Sequence, residues 1–231
     1  MRWFQQRGYA SICYDQRGHG KSGGTRAYIQ TFDEYLKDLT AVYHHYLNKV
    51  NDKFFLVGHS MGGLVVTRHR QLYADALPVT ATIVSSPFLG ISAKIPAWKK
   101  ALSKAVVNVY PRVAVPTDLN AEHVSHDPQV VKAYLNDPLV LKKTTAGWFE
   151  NIQKTLAAVH RDATLTQGPY HILLASDDKL VDPAATRKFY AALPPGMDKS
   201  LTEFPGFYHE IFNELDKEKA WQALESHLAR Y

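Results

Sequence analysis

Apolar residues along the chain alternate between short continuous runs and stretches with helical spacing. The short runs predict strands at residues 9–14, 54–57, 81–85, 170–176 and 200–204. Residues 32–50 repeat apolar positions at close to 3.6 residues, and further helices are predicted at residues 2–7, 64–73, 184–193 and 214–231. Alternation of this kind favours an α/β fold, with a mostly parallel sheet and helices on both of its faces.

The alternation stops between residues 91 and 165, which we call the insertion. Residues 98–110 and 148–160 predict helices there, and the stretch between them is interrupted by Pro111, Pro116, Pro128 and Pro138. The insertion has ten Lys and Arg against six Asp and Glu, so it carries most of the net charge of +5. Two interpretations stay open: a solvated helical insertion, or a lid whose basic and apolar surface meets lipid. The rest, residues 1–90 and 166–231, forms the predicted core.

Composition indicates the domain size, the compartment and the partners of the protein, but not which reaction, if any, it catalyses. At 231 residues and 45% hydrophobic, the chain predicts one ordinary globular domain with an insertion. The single cysteine, Cys13, lies in an apolar run and predicts a buried structural thiol in a reducing, cytoplasmic setting. No run approaches the ~18 apolar residues of a membrane span. The basic charge favours anionic surfaces or substrates, and without a nucleic-acid motif we expect no nucleic-acid partner.

One motif predicts the chemistry. Residues 58–62 read Gly-His-Ser-Met-Gly, which matches G-x-S-x-G directly after an apolar strand and directly before a helix. In that context the serine lies on a sharp, strained turn that exposes its hydroxyl, and this arrangement is a nucleophile elbow. Ser60 is therefore the predicted nucleophile. The alternative is a glycine-rich turn with a solvated serine.

A nucleophilic serine needs a base and an acid, which follow it along the chain in this fold class. Of the later histidines, His227 lies inside the closing helix, whereas His209 lies in the loop after the last strand, so His209 is the predicted base. The acid should follow the strand at residues 170–176. Asp177, Asp178 and Asp182 qualify; Asp182 is already explained as a helix cap, and spacing alone does not separate the other two.

These residues resemble the monoacylglycerol lipase and lysophospholipase branch of the α/β-hydrolases. The similarity rests on GHSMGG, the earlier YDQRGHGKSGG, and the later SSPFLG, SDDKLVDP and FYHEIFNE. It implies that Asp178 is the acid, because Ala175 then takes the glycine position of the family's G-x-x-D-x-[LV]-V pattern. It also implies that the insertion is a helical cap over an acyl-chain tunnel. The N–H of Met61 would supply one oxyanion donor.

The resemblance also sets two further expectations. Family members carry several strands and a His-Gly loop ahead of the helix where this chain begins, so we expect those strands and the second oxyanion donor to be missing. We expect a serine hydrolase that cleaves a monoacyl lipid ester, with no cofactor or metal and with contact to the membrane periphery through the cap. Alternatives are a truncated, non-catalytic binding member and a hydrolase of another acyl substrate, such as a short ester or a peptide.

Overall fold

The computed structural model describes residues 2–46, 53–92, 106–107, 109–117 and 119–231. Its strands are β1 (Phe55–His59), β2 (Ala81–Ser85), β3 (Ala114–Pro116), β4 (Lys143–Thr145), β5 (Tyr170–Ala175) and β6 (Lys199–Phe204). Its helices are α1 (Arg2–Gln5), α2 (Asp33–Tyr46), α3 (Met61–Leu72), α4 (Pro128–Asn136), α5 (Ala146–Arg161), α6 (Pro183–Ala192) and α7 (Glu218–Ala229).

The main sheet has the order β1–β2–β5–β6, and all neighbouring strands are parallel. His59 at the end of β1 pairs with Ser85 at the end of β2, and Ser85 also pairs with Leu173 of β5. Since the strands run in one direction, the loops that follow them leave from one edge of the sheet. That edge holds every residue predicted to be catalytic.

Helices cover both faces of this sheet, as the alternation predicts. Strands β2 and β5 are buried along their whole length, which explains their mostly apolar sequences. One face packs against apolar side chains of α2, α3, α5 and α6, including Leu36, Leu64 and Phe189. The opposite face packs against Leu224 and Leu228 of α7. The predicted parallel sheet between two helical layers is confirmed.

The insertion contributes a short antiparallel pair, β3 with β4, and two helices, α4 and α5. Helix α5 matches the prediction at residues 148–160, whereas the predicted helix at 98–110 lies largely outside the described residues. Helix α4 was not predicted, although Asp127 caps it by accepting from the Gln129 N–H at 2.8 Å and Pro128 fills its first turn. The same Asp-Pro signal correctly predicted α6, where Asp182 is the cap.

Three predictions about the core need correction. Residues 9–14 form no strand, because a strand must pair with another strand and these residues belong to neither sheet in the described part of the chain. Cys13 is consequently exposed rather than buried. Helix α7 begins at Glu218 instead of 214, because residues 211–213 form a 3₁₀ turn and the Glu214 side chain is buried elsewhere.

Candidate active site

Ser60 lies in the turn that joins β1 to α3. Its backbone has φ 51° and ψ −118°, a conformation that is costly for a residue with a side chain. Two glycines leave room for the turn. A Cβ added to Gly58 would lie 2.7 Å from the Gly62 carbonyl oxygen, and one added to Gly63 would lie 2.9 Å from Cβ of Pro87. The sequence GHSMGG therefore folds into the sharp bend of a nucleophile elbow.

Backbone hydrogen bonds hold this strained turn against the end of β2. The Ser60 N–H donates to the Ser85 carbonyl at 3.0 Å. The Ser60 carbonyl accepts from the Leu64 N–H at 3.1 Å and from the Phe88 N–H at 2.9 Å. Ser60 thus directly precedes the first turn of α3. The Met61 N–H lies in that turn and has no intrahelical partner, so it can donate to an anion there.

His209 and Asp178 form a buried hydrogen-bonded pair. His209 Nδ1 lies 2.7 Å from Asp178 Oδ2, and each residue is only 5% exposed. The other carboxylate oxygen of Asp178 accepts from the N–H groups of Leu180 at 2.8 Å and Val181 at 3.0 Å. These bonds fix the carboxylate, which in turn orients the imidazole and leaves Nε2 available to act as a base.

The other candidates for acid and base lie apart from this pair. Asp177 is exposed, and Asp182 Oδ1 caps α6 by accepting from the Ala184 N–H at 2.9 Å. His227 stacks on His171 with 4.4 Å between ring centroids. Of the two aspartates that spacing left open, Asp177 and Asp178, it is Asp178 that hydrogen-bonds to His209.

The predicted base, His209, lies beside the elbow. The ring of His59, the residue before Ser60, lies 4.8 Å from the ring of His209 between centroids. Among the described residues, the Ser60 hydroxyl makes no hydrogen bond to His209. Without substrate, catalytic hydrogen bonds are often longer than in the reacting complex. The predicted nucleophile and base thus lie at one rim of the sheet, without a hydrogen bond between them.

A second carboxylate–histidine pair at this rim was not predicted from the sequence. His59 Nε2 lies 3.1 Å from Glu210 Oε1, and His59 Nδ1 lies 2.8 Å from Ser85 Oγ. Burial alone would lower the pKa of His59, but the hydrogen-bonded Glu210 carboxylate raises it above its usual value. Burial opposes the charge of Glu210 as well, yet attraction to His59 lowers the pKa of Glu210 to about 2. Each group therefore favours the charged form of the other, as in an ion pair.

Glu214 is a buried carboxylate that holds the His209 loop to the insertion. It is 3% exposed, and its oxygens accept from the Tyr208 N–H at 2.8 Å and from the His126 N–H at 3.1 Å. His126 Nδ1 lies 2.9 Å from the same carboxylate, and the His126 ring stacks on Tyr208. The backbone adds one more link, from the Glu210 N–H to the Val124 carbonyl at 2.8 Å. Loop and insertion are consequently joined next to the base.

A cavity of about 520 Å³ lies within the insertion, away from the triad candidates. Its walls include Leu135, Val140, Lys142 and Lys143, with Arg26 from the core. Ser60, Asp178 and His209 do not line it. The acyl-chain tunnel implied by the resemblance stays a prediction, because residues 93–105 lie outside the described ranges. No helix in those ranges is both long and apolar enough to cross a bilayer.

Comparison with known proteins places this site in a family. A family model described as "Serine aminopeptidase, S33" matches residues 1–216. The chain belongs to this hydrolase family. Within it, the chain is 30% identical over 236 residues to Phospholipase YtpA of Bacillus subtilis, which covers 100% of this chain and 88% of that relative.

Monoacylglycerol lipases are also similar to this member of the family. The enzyme of Mycolicibacterium smegmatis is 29% identical over 238 residues, with 97% of this chain and 81% of the relative covered. The crystal structure of Paleococcus ferrophilus monoacylglycerol lipase has a TM-score of 0.82 and 30% identity, covering 91% of this chain and 79% of that one. The resemblance to this branch of the α/β-hydrolases is thus confirmed, as is the prediction of a carboxylic ester hydrolase.

Proposed function

We propose that the protein cleaves the ester bond of a monoacyl lipid, a lysophospholipid or a monoacylglycerol, through Ser60, His209 and Asp178. The observation that carries the proposal is the buried His209–Asp178 hydrogen bond beside a strained serine at the start of a helix. A base fixed by a carboxylate and a serine on an elbow are the parts that acyl transfer needs. The relatives support a lipid ester as the substrate, since two of them are a phospholipase and a monoacylglycerol lipase.

In the first half of the reaction, the Ser60 hydroxyl attacks the ester carbonyl while His209 Nε2 accepts its proton. The carbonyl oxygen becomes an oxyanion, and the Met61 N–H donates to it at the N-terminus of α3. Asp178 stabilises the imidazolium that forms. His209 then passes the proton to the leaving alcohol oxygen, so that the glycerol or glycerophosphate part departs and the acyl group remains on Ser60.

In the second half, water repeats the sequence of steps. His209 Nε2 takes a proton from the water as its oxygen attacks the acyl-enzyme carbonyl. Collapse of the second oxyanion breaks the bond to the Ser60 oxygen, which takes the proton back from His209. The products are a free fatty acid and the regenerated serine. The chain's own residues account for every proton in this cycle.

The insertion is proposed to act as the cap over this site. Several of its apolar side chains are exposed, including Val109, Tyr110, Leu119 and Leu135. Basic residues lie near them in the chain, Arg112 and Lys132 among them. An apolar surface with cationic residues suits contact with a lipid surface, so we propose a cytoplasmic enzyme that works at the membrane periphery.

Hydrolysis across two substrate series tests the proposed substrate. One series holds p-nitrophenyl esters from two to sixteen carbons, and the other holds 1-monoacylglycerols and lysophosphatidylcholines of matched chain length. We expect kcat/KM to rise with chain length and at least one monoacyl lipid to be cleaved. Ser60→Ala should lose the activity on both series.

Two results would count against this substrate. A preference for the two-carbon ester, with no cleavage of any monoacyl lipid, would indicate a short-ester hydrolase. Faster release of p-nitroaniline from aminoacyl p-nitroanilides would favour the peptidase after which the family is described. In either case the proposed roles of Ser60, His209 and Asp178 would stand, and only the proposed substrate would be wrong.

A further inference from the structure

One ion pair connects the residues that flank the proposed nucleophile and base. His59 directly precedes Ser60, Glu210 directly follows His209, and their side chains meet at 3.1 Å across 151 residues of sequence. Each partner is also fixed at its other end. His59 Nδ1 meets Ser85 Oγ at 2.8 Å, and Glu210 Oε2 accepts from the Asn213 side-chain amide at 3.0 Å. The pair is therefore a fixed cross-link between β1 and the loop after β6.

The proposed base needs such a support. Asp178 holds the His209 ring at Nδ1 alone, and one hydrogen bond leaves the ring free to swing about that contact. The His59 ring packs beside it at 4.8 Å, inclined by 52°. The described residues include no direct bond from Ser60 to His209, so β1 and the loop must set the distance between Oγ and Nε2. A displacement of 1 Å at such a point can reduce the rate by about 10².

We propose that His59 and Glu210 are positioning residues, whose ion pair sets the approach of His209 Nε2 to the Ser60 hydroxyl. This inference rests on the proposed function, since it assigns the pair a role in the same reaction. Neither residue is proposed to touch the reacting atoms. The pair acts through His209, by holding its loop to the strand that ends at the nucleophile.

The charges around His209 predict a change in pH dependence when the His59–Glu210 pair is broken, which a purely structural role would not produce. Within the described ranges, three titratable groups face the imidazole: Asp178 after β5, Glu210 in its own loop, and His59 at the end of β1. From the insertion, Tyr134 feels the charge of Glu210, because its pKa is raised by burial and by that carboxylate. Loss of His59 would leave the negative charge of Glu210 unpaired beside His209. That charge would stabilise the imidazolium form of His209. Protonation would then inactivate the base at a higher pH.

The test is the pH dependence of ester hydrolysis by the full chain and its His59→Gln, Glu210→Gln and double variants. We expect kcat to fall about 10- to 100-fold in each single variant, with KM within about twofold. The acid limb of kcat/KM should move to higher pH in His59→Gln only, and should return in the double variant. The double variant should be no slower than the slower single variant, because the two residues act as one unit.

Controls separate this inference from the proposed function and from misfolding. Glu225→Gln removes a carboxylate from an exposed ion pair with Arg7 and should change neither rate nor pH profile. A wild type that neither hydrolyses esters nor reacts at Ser60 with a fluorophosphonate would overturn the proposed function. An active wild type with single variants of unchanged kcat, or with losses that multiply in the double variant, would overturn the positioning role alone. If Glu210→Gln fails to fold, Glu210→Asp is the second variant. It keeps the carboxylate but shortens the side chain, so kcat should fall while the acid limb of kcat/KM stays at its wild-type pH.

Discussion

The turn that carries Ser60 and the loop that carries His209 reach the same rim of the sheet by different means. The turn is built from neighbours in sequence: Gly58 and Gly63 give it room, and backbone hydrogen bonds hold it to β2. The loop is held by the side chains of Asp178 and His59, which are distant in sequence, by Glu214, and by backbone hydrogen bonds. A six-residue motif is therefore enough to predict Ser60 as the nucleophile, whereas the position of His209, the proposed base, depends on contacts that the sequence does not display.

The largest effect should come from replacing the nucleophile with glycine. Ser60→Gly removes the hydroxyl and should lower kcat/KM by about 10⁴ or more. It also places glycine, which tolerates positive φ, at a residue with φ 51°. We therefore expect the free energy of unfolding to rise by about 1 kcal/mol, as measured by urea denaturation. A less stable Ser60→Gly would contradict the strain assigned to the turn.

A methyl group on the turn should show which glycine is structurally required. Gly58→Ala would put a Cβ 2.7 Å from the Gly62 carbonyl oxygen, so we expect a loss of about 2 kcal/mol in unfolding free energy and of about 10² in kcat/KM. Gly62→Ala is the matched control, because no heavy atom lies within 4 Å of its Cβ. As a helical residue it should tolerate alanine with equal or greater stability. Equal losses in both variants would refute the steric account.

The stability of the His209 loop should also depend on Glu214, which binds the neighbouring Tyr208 N–H rather than the proposed catalytic side chains. Glu214→Gln keeps the shape of the side chain but presents an amide to the N–H groups of Tyr208 and His126, so it should lower the unfolding free energy by about 1–3 kcal/mol. The loosened loop should also lower kcat more than it raises KM. Glu225→Gln, at the surface, should stay within about 0.5 kcal/mol of wild type. Steady-state kinetics and denaturation of the two variants make the comparison.

The prediction with the least bearing on catalysis concerns acid stability on the elbow side of the molecule. Burial, reinforced by Arg70, lowers the pKa of His69 in α3 to about 4. The unfolded chain binds this proton at its ordinary pKa near 6.5, so the stabilisation is complete above that pH and is lost as the pH falls towards 4. The loss is on the order of 3 kcal/mol. His69→Gln should flatten the decline of unfolding free energy between pH 6.5 and 4, and an unchanged slope would contradict this assignment.

The sequence predicted well wherever structure is local. The apolar runs of β2 and β5, the helical spacing of α2 and α5 and the Asp-Pro start of α6 each depend on residues close together, and the structure contains all of these elements. Residues 9–14 were wrongly predicted as a strand, because a strand needs a neighbour and an apolar run does not show whether one is there. Helix α4 was not predicted, although the sequence contains the Asp-Pro signal of a helix start at Asp127 and Pro128.

For the site, the order of elements and the motif selected Ser60 and His209, and the family resemblance was needed to choose Asp178 over Asp177. The His59–Glu210 pair and the Glu214 contacts could not be predicted in this way. The pair and the contact of Glu214 with His126 join residues more than 80 positions apart, and only the folded chain brings them together.

Covalent labelling tests the central claim, that His209 and Asp178 activate Ser60, most directly. The wild type, His209→Gln and Asp178→Asn would be treated with a fluorophosphonate, and the adduct would be located by peptide mass spectrometry and its rate of formation measured. We predict one adduct, on Ser60, that forms about 10³-fold or more slowly in both variants. Labelling of Ser60 at the wild-type rate in the His209→Gln variant, or an adduct on another residue, would contradict the account.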